Sequence, residues 1–452
     1  DYWTNGWFPM HNAQLPKNFD EDAGKIGYVV KAGGLQGYLV SKKEVEKFNI
    51  KSLDDFKRDE VKKAFDLNGD GRDDAVYSGY NPEDPEGLIP FYMLLANESG
   101  ELELQTDARI LNGIPQTERG FRQVVPGDFN NDGRVDLFLE SHGGEPDCGD
   151  GSVNCWVGGA NKLLLSDDTD KWINESDTKL PLLSDFSHGS AVADFDKDGD
   201  LDIWVNNLGG SPLYNPEFSY LLGNDGDGGF SVAADAAEPW ATPIIGRNGI
   251  LPEGEGLGGF WSFAVDAEGD GDMDLGLGWV NSRNMNVVLI NDGAGNFAWP
   301  VESSYPSPNG YLGDAIQHAL VLDVDGDGLE DLLLHQSRSD FSGPMLQILI
   351  SNGDGTFRDE TSIRYPAEPV NSLQEFQLHD LDNDGHLDLF SNVNFSLNEV
   401  RINDGAGYFR PLADDWLTNL NSISWVVLDV DGDGGTDILS AEGYGIAPVS
   451  YT

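Results

Sequence analysis

Basic residues are scarce in this chain. Its 452 residues include 27 Lys and Arg against 79 Asp and Glu, a formal net charge of −52. Such a surface repels nucleic acid and anionic lipid, so neither is an expected partner. No apolar run reaches the length of a membrane span, so none is expected. Cysteine is limited to Cys148 and Cys155, within Pro146-Asp-Cys-Gly-Asp-Gly-Ser-Val-Asn-Cys-Trp156. A disulfide closing this short loop is the expectation in an oxidising compartment, with a pair of free thiols as the alternative. Zinc is not expected without a second Cys or His pair nearby. The seven histidines are scattered, and neither H-E-x-x-H nor G-x-S-x-G occurs. No catalytic constellation is recognisable, and a non-enzymatic role is expected. An initial methionine and a signal peptide are lacking too, so the chain reads as a mature form or a fragment.

The charge is unevenly placed. Residues 1–65 hold 11 basic and 10 acidic groups, whereas residues 66–452 hold 16 and 69. A break that sharp divides the chain into two segments, 1–65 and 66–452.

What the second segment has in abundance is one nine-residue acidic loop, D-x-[DNE]-x-D-G-x-x-D, present seven times at intervals of 49–72 residues. Side-chain oxygens at positions 1, 3, 5 and 9, with the backbone carbonyl of position 7, suit a single hard cation, and the glycine at position 6 permits the sharp turn. The expected ligand sets are Asp66, Asn68, Asp70, Arg72 and Asp74; Asp128, Asn130, Asp132, Arg134 and Asp136; Asp194, Asp196, Asp198, Asp200 and Asp202; and Asp266, Glu268, Asp270, Asp272 and Asp274. The remaining three are Asp323, Asp325, Asp327, Leu329 and Asp331; Asp380, Asp382, Asp384, His386 and Asp388; and Asp429, Asp431, Asp433, Gly435 and Asp437. Position 7 enters through its carbonyl, whatever its side chain. Asp and Gly also favour plain turns, but seven copies of one grammar point to calcium, up to seven structural ions. An EF-hand is excluded because its loop has 12 residues, ends in Glu and is flanked by helices. Here strand-like runs follow, such as Asp202-Ile-Trp-Val205 and Asp331-Leu-Leu-Leu334.

Downstream of most loops comes an apolar run, a Gly-rich turn and Phe, as in Val288-Leu-Ile-Asn-Asp-Gly-Ala-Gly-Asn-Phe297 and Ile348-Leu-Ile-Ser-Asn-Gly-Asp-Gly-Thr-Phe357. Asn-Gly and Asp-Gly between apolar runs signal hairpins. The unit is strand, acidic loop, strand, linker, strand, hairpin, strand. Four strands per 50–70 residues, repeated, predict an all-β fold: a β-propeller of about seven four-stranded blades, the last partial. Inserts near 140–160, 208–218 and 236–259 would decorate one face, where binding usually lives. The ends look irregular. No strand is evident before Asp66, little chain follows Ser440, and ring closure looks incomplete.

Residues 66–452 resemble the FG-GAP/VCBS repeat family, whose members include integrin α-subunit head propellers. The resemblance implies that each ion pins the turn between the first two strands of a blade. It implies an extracellular adhesion-type module that binds a protein or a glycan. Trp204, Trp240, Trp261, Trp279 and Trp299 are either blade core or a sugar platform for a lyase or hydrolase.

Residues 1–65 read as a small α/β segment. Strands are expected at 26–31 and 36–40, with helices near 42–48 and 53–65. Tyr2-Trp3-Thr-Asn-Gly-Trp7-Phe8-Pro9-Met-His11, Lys31-Ala-Gly-Gly-Leu-Gln-Gly-Tyr38-Leu39-Val40 and Phe65-Asp66-Leu-Asn68-Gly-Asp70-Gly71 resemble glycine betaine/proline betaine-binding proteins of ABC transporters. That resemblance implies a tryptophan cage for a quaternary ammonium, a cation–π site, with Trp7 at one cage position. The family's next cage stretch is replaced here by Tyr77-Ser-Gly-Tyr80-Asn-Pro. Core packing is therefore the reading favoured for Trp3, Trp7 and Phe8. The two resemblances meet at Asn68-Gly-Asp-Gly, a string common to both families. A gene fusion or a sequence-assembly join at that string would each account for the charge break. The expected location is secreted, periplasmic or cell surface.

Overall fold

The computed structural model describes residues 3–8, 23–25, 35–41, 66–78, 89–117, 121–141, 158–184, 186–207, 219–232, 261–280, 285–298, 306, 315–337, 345–365, 373–381, 386–393, 397–412, 424–428, 430, 437–441 and 447–448. The first three strands, β1 (Trp3–Phe8), β2 (Ala23–Lys25) and β3 (Leu35–Ser41), make a sheet of their own in the order β1-β3-β2. The strand expected at 36–40 is β3. The strand expected at 26–31 and both helices expected before residue 66 lie outside the described residues.

From Asp66 onward the described residues are mostly strands. Sheet I contains β4 (Ala75–Ser78), β5 (Ile89–Ala96) and β6 (Leu102–Leu104). After the one-turn helix α1 (Thr106–Arg109) come β7 (Ile110–Leu111) and β8 (Gln116–Thr117). Sheet II is β9 (Phe121–Gly127), β10 (Asp136–Ser141), β11 (Lys162–Ser166) and β12 (Trp172–Asn174), with β7 added at its outer edge. The one-turn helix α2 (Ser176–Lys179) leads to sheet III, β13 (Ser187–Ala193), β14 (Asp202–Asn207), β15 (Tyr220–Asn224) and β16 (Phe230–Val232). Sheet IV is β17 (Trp261–Val265), β18 (Asp274–Val280), β19 (Met285–Asn291) and β20 (Phe297–Ala298). Sheet V is β21 (Ala315–Leu322), β22 (Asp331–Ser337), β23 (Met345–Ser351) and β24 (Phe357–Asp359), followed by the one-turn helix α3 (Thr361–Arg364). Sheet VI is β25 (Leu373–His379), β26 (Asp388–Val393), β27 (Leu397–Asn403) and β28 (Phe409–Pro411). Sheet VII pairs β29 (Ser424–Leu428) with β30 (Asp437–Ala441).

Within sheets III to VI every strand pairs antiparallel with its sequence neighbour, as the repeat unit predicts. The second strands of sheets II and III are buried along their whole length. A strand shielded on both faces needs a packed layer on each side. Those layers are the neighbouring sheets. One apolar cluster joins sheets I and II, the next II and III, and so on through V and VI. The first strands lie side by side, β9 against β13, β13 against β17 and β17 against β21. Sheets stacked face to face with their first strands adjacent are arranged as in a β-propeller.

One expectation is overturned. Ring closure does not lack a strand: β31 (Ala447–Pro448) pairs antiparallel with β4, Ala447 opposite Ser78, so that the far end of the chain completes sheet I. Its proline sits on a sheet edge, where a missing N–H is tolerated. A two-residue strand carries no periodicity, so sequence pattern could not reveal it. The inserts read at 208–218 and 236–259, the core of that at 140–160, and the Cys148–Cys155 pair lie outside the described residues.

The ends of sheets II, III and V opposite the acidic loops are rich in buried polar groups, among them His318 on β21. Its ring meets Trp261 edge-on at 5.4 Å. Burial, then the neighbouring His335, drives its pKa down to about 3. A histidine held neutral in the fold stabilises it above its unfolded pKa of about 6.5 and loses that contribution as pH falls toward the folded value. His318→Phe should keep the ring packing and remove the titration. The expected result is a melting temperature that falls less steeply than the wild type's between pH 7 and pH 4.

Candidate metal centres

Five of the seven acidic loops are fully described, and they share one hydrogen-bond pattern. Position 1 accepts two backbone N–H groups: Asp70 N–H donates to Asp66 Oδ1 (2.8 Å) and Gly71 N–H to Oδ2 (2.7 Å). The equivalent pairs recur at Asp128, Asp194, Asp266 and Asp323, with distances of 2.8–3.1 Å. Position 5 accepts the N–H of position 7, as Leu329 N–H to Asp327 Oδ1 (2.9 Å). The backbone turns twice through the left-handed region. Position 6 is always glycine, at φ 82–102°. Position 4 is Gly69, Asn131, Lys197, Gly269 or Gly326, at φ 58–76°. Gly and Asn at position 4 are the sequence signal for that second requirement in four of these loops, and Lys197 meets it without one.

Position 9 has a different task. Asp274 is buried at the start of β18, and both its oxygens accept backbone N–H groups. Ala267, position 2 of the loop, donates to Oδ2 (3.0 Å), and Asn291 at the end of the third strand donates to Oδ1 (2.8 Å). The same two bonds form at Asp74, Asp136, Asp202, Asp331 and Asp388. One carboxylate thus ties the loop's start to the third strand of its sheet. Burial pushes the carboxyls of Asp74, Asp202 and Asp274 up to about 7 and those of Asp136 and Asp331 to about 6, against the pull of these hydrogen bonds. Nearby loop carboxylates add to the rise.

Position 2 anchors the loop to the following sheet. Phe129 meets Phe230 edge-on at 5.7 Å, and Phe195 meets Phe297 at 5.4 Å. The Phe195 carbonyl accepts from Asn291 Nδ2 (2.7 Å) and Gly295 N–H (3.0 Å) in the next sheet. The Gly-x-Gly hairpins fit between two loops. A Cβ on Gly293 would meet the position-7 carboxylate Asp272 of its own sheet at 2.4 Å, and one on Gly295 would meet the position-3 residue Asp196 of the preceding sheet at 3.4 Å. Adjacent loops also touch directly: Lys197 pairs with Asp272, Asn131 with Asp200, and Asp266 N–H donates to Glu330 Oε2 (2.7 Å).

Carboxylate oxygens of Asp194, Asp196 and Asp198 lie within 4.8 Å of one another, as do those of Asp323, Asp325 and Asp327. Asp325 Oδ1 is buried and accepts no hydrogen bond. Convergent hard oxygens on a glycine-hinged loop fit a calcium ion. In the loops at Asp66 and Asp128 the position-3 oxygen is an amide, from Asn68 and Asn130, and in the loop at Asp266 it belongs to Glu268. Of the expected ligands in the sixth loop, Asp380, His386 and Asp388 are described, whereas Asp382 and Asp384 are not; of those in the seventh only the backbone of Asp437 is. Trp7 lies on β1, with its side chain outside the described residues. Trp204 and Trp261 are buried in the clusters between sheets, which removes them from any sugar platform.

Comparison with known proteins agrees with this geometry. The model of the FG-GAP-like repeat matches residues 66–139, 323–391 and 380–440. The chain carries FG-GAP-like repeats. Residues 1–99 match the substrate binding domain of the ABC-type glycine betaine transport system. Both matches claim residues 66–99. There the structure follows the repeat, with the loop of Asp66–Asp74 built like the others and β4 and β5 paired in sheet I. Human cartilage acidic protein 1 is 29% identical over 195 residues, 42% of this chain and 25% of its own. The glycine betaine-binding periplasmic protein OusX of Dickeya dadantii is 36% identical over 76 residues, 17% of this chain and 22% of its own. The chain thus spans about a quarter of the curated relatives it matches. Among solved structures, the Dos1 propeller aligns over 78% of both chains at 12% identity and a TM-score of 0.34. An endo-arabinase from Bacteroides thetaiotaomicron aligns over 65% of this chain and 92% of its own, at 12% identity and a TM-score of 0.34.

The position-9 clasp is testable without any ion. Asp274→Ala leaves the N–H groups of Ala267 and Asn291 buried without acceptors, a cost of about 2–6 kcal/mol. Asp274→Asn keeps an acceptor oxygen and should lose less. Chemical denaturation in calcium-free buffer checks the order.

Proposed function

We propose that this protein is a secreted or cell-surface, calcium-stabilised propeller that serves as a protein- or glycan-binding module. The observation that carries the reading is the recurrence of one oxygen-lined loop lattice at the same place in five sheets, with two carboxylate triads drawn together. Bound calcium would be held by the oxygens of positions 1, 3 and 5 and the carbonyl of position 7. Position 9 would contribute through the lone pairs its N–H partners leave free, since a carboxylate offers about four acceptor sites. The ion supplies charge neutralisation. Without it, the clustered carboxylates repel one another across turns that join each sheet's first two strands and touch the next sheet. Loops of this kind in extracellular modules bind at about 10⁻⁴–10⁻³ M, suited to calcium-rich fluid outside cells rather than to signalling. No helix among the described residues is long and apolar enough to cross a membrane. The named relatives of the N-terminal segment are periplasmic proteins.

Removing calcium with a chelator should lower the melting temperature by about ten degrees or more, and millimolar calcium should restore it, as mass action at several sites requires. Magnesium at the same concentration should restore less, because it demands a tighter octahedron. A melting temperature indifferent to chelation would refute the reading.

A second reading is favoured by the match over residues 1–99: a betaine-like osmolyte bound by the N-terminal segment, as in an ABC-transporter solute-binding protein. Tryptophan fluorescence titrated with glycine betaine tests it. Quenching that saturates in the millimolar range or below supports it, and an unchanged spectrum disposes of it.

A further inference from the structure

The two carboxylate triads are not equivalent. In the loop of sheet III, Asp194, Asp196 and Asp198 converge and, among the described residues, no Lys or Arg pairs with Asp196. In the loop of sheet V, the corresponding Asp325 is already engaged. Arg364 Nη2 lies 2.8 Å from Asp325 Oδ2, and Arg358 Nη2 lies 3.9 Å from the same oxygen. Arg364 cannot easily leave. It is 5% exposed and ends α3. Its Nε donates to Glu360 Oε2 (2.7 Å) and its Nη1 to the Ala406 carbonyl of sheet VI (2.7 Å), and its guanidinium lies over Tyr408. Arg358 Nε holds the other oxygen of Glu360 at 2.8 Å. Two guanidiniums thus stand against the carboxylates of Asp325 and Glu360, beside those of Asp323 and Asp327, so the charge of Asp325 is balanced from within the protein.

The position of Arg364 is itself repeated. Arg109 ends α1 and donates to the Asp170 carbonyl (2.9 Å), and Lys179 ends α2 and donates to the Asp227 carbonyl (2.8 Å). Each basic side chain thus clasps the hairpin of the following sheet. The loops of those sheets, I and II, carry the neutral Asn68 and Asn130 at position 3. Among the described residues, sheet V alone combines the clasp with an acidic position 3. Ligand charge tunes calcium affinity in such loops.

We propose that Arg364 is a resident cation that makes the loop at Asp323–Asp331 a weak calcium site, while the loop at Asp194–Asp202, where Asp196 has no basic partner among the described residues and Lys197 turns to Asp272 of the next loop, is a tight one. The proposal rests on the calcium reading above. Arg364 competes for Asp325 directly and repels an incoming divalent ion, and it also joins that loop to the hairpin of sheet VI. Filling of the weak loop is therefore coupled to the junction of sheets V and VI.

Calcium titration calorimetry of the full chain, stripped of metal, tests this. Asp325→Asn should delete a weak binding step, and Asp196→Asn a step at least about tenfold tighter, the size expected from one uncompensated charge at partly screened distances. Arg364→Gln should move the weak step about tenfold or more tighter, whereas Arg364→Lys, which keeps the charge, should leave it weak. Loss of the tighter step in Asp325→Asn, or unchanged or weaker binding in Arg364→Gln, would overturn the proposal while leaving the calcium reading intact. Should Arg364→Gln fail to fold, the comparison of Asp196→Asn with Asp325→Asn decides alone, since both variants leave the arginine itself in place. No calcium binding at either triad would overturn both readings.

Discussion

The structure depends on one buried carboxylate per repeat. Position 9 of each described loop spends one oxygen on the loop's second N–H and the other on an N–H at the end of the sheet's third strand. Those N–H groups would otherwise be buried and unpaired where the chain leaves the loop. The bond geometry fixes where the second strand begins and how far the loop folds back over it. The phenylalanine or smaller apolar residue at position 2 is thereby aimed at the next sheet. A local hydrogen bond thus becomes an intersheet packing rule, repeated around the molecule.

That rule explains features that look unrelated in the sequence. In sheets III to V the Gly-x-Gly hairpins lack side chains because one glycine faces the position-7 residue of its own loop and the other faces position 3 of the preceding loop. The asparagine ahead of two of these hairpins, Asn224 and Asn291, sends its amide to the position-2 carbonyl of the sheet before it. The few basic residues are placed economically, with Arg109, Lys179 and Arg364 each ending a one-turn helix and reaching the following hairpin. The acidity of residues 66–452 is concentrated at the loop lattice and its hairpins, the place where proposed cations would offset it.

Much of this was legible beforehand. The nine-residue grammar and the hairpin signal located the strands that form the four-stranded sheets III to VI, because period-2 runs bounded by Asp-Gly turns admit little else. Three things were not legible. The closing strand β31 is two residues long and has no pattern. The helices α1 to α3 are single turns, below the length at which a 3.6-residue period shows, although the Ser or Thr at the start of each caps an N–H of the third strand. The spacing of position 9 points only to an ion ligand, since a spacing that brings an oxygen near a cation says nothing of the backbone donors beside it. The N-terminal segment is the reverse case. There the family likeness was plain, but it covers a fraction of its relatives, and the shared string at Asn68–Gly71 is built in the structure as a propeller loop.

The central claim is that these loops close around divalent ions and so fasten the sheets. Long-wavelength diffraction from crystals grown in millimolar calcium measures it most directly. The account predicts anomalous peaks inside the loops at Asp128, Asp194 and Asp266, each about 2.3–2.6 Å from the oxygens of positions 1, 3 and 5. Loops holding only water at those points, with the sheets in unchanged order, would contradict it.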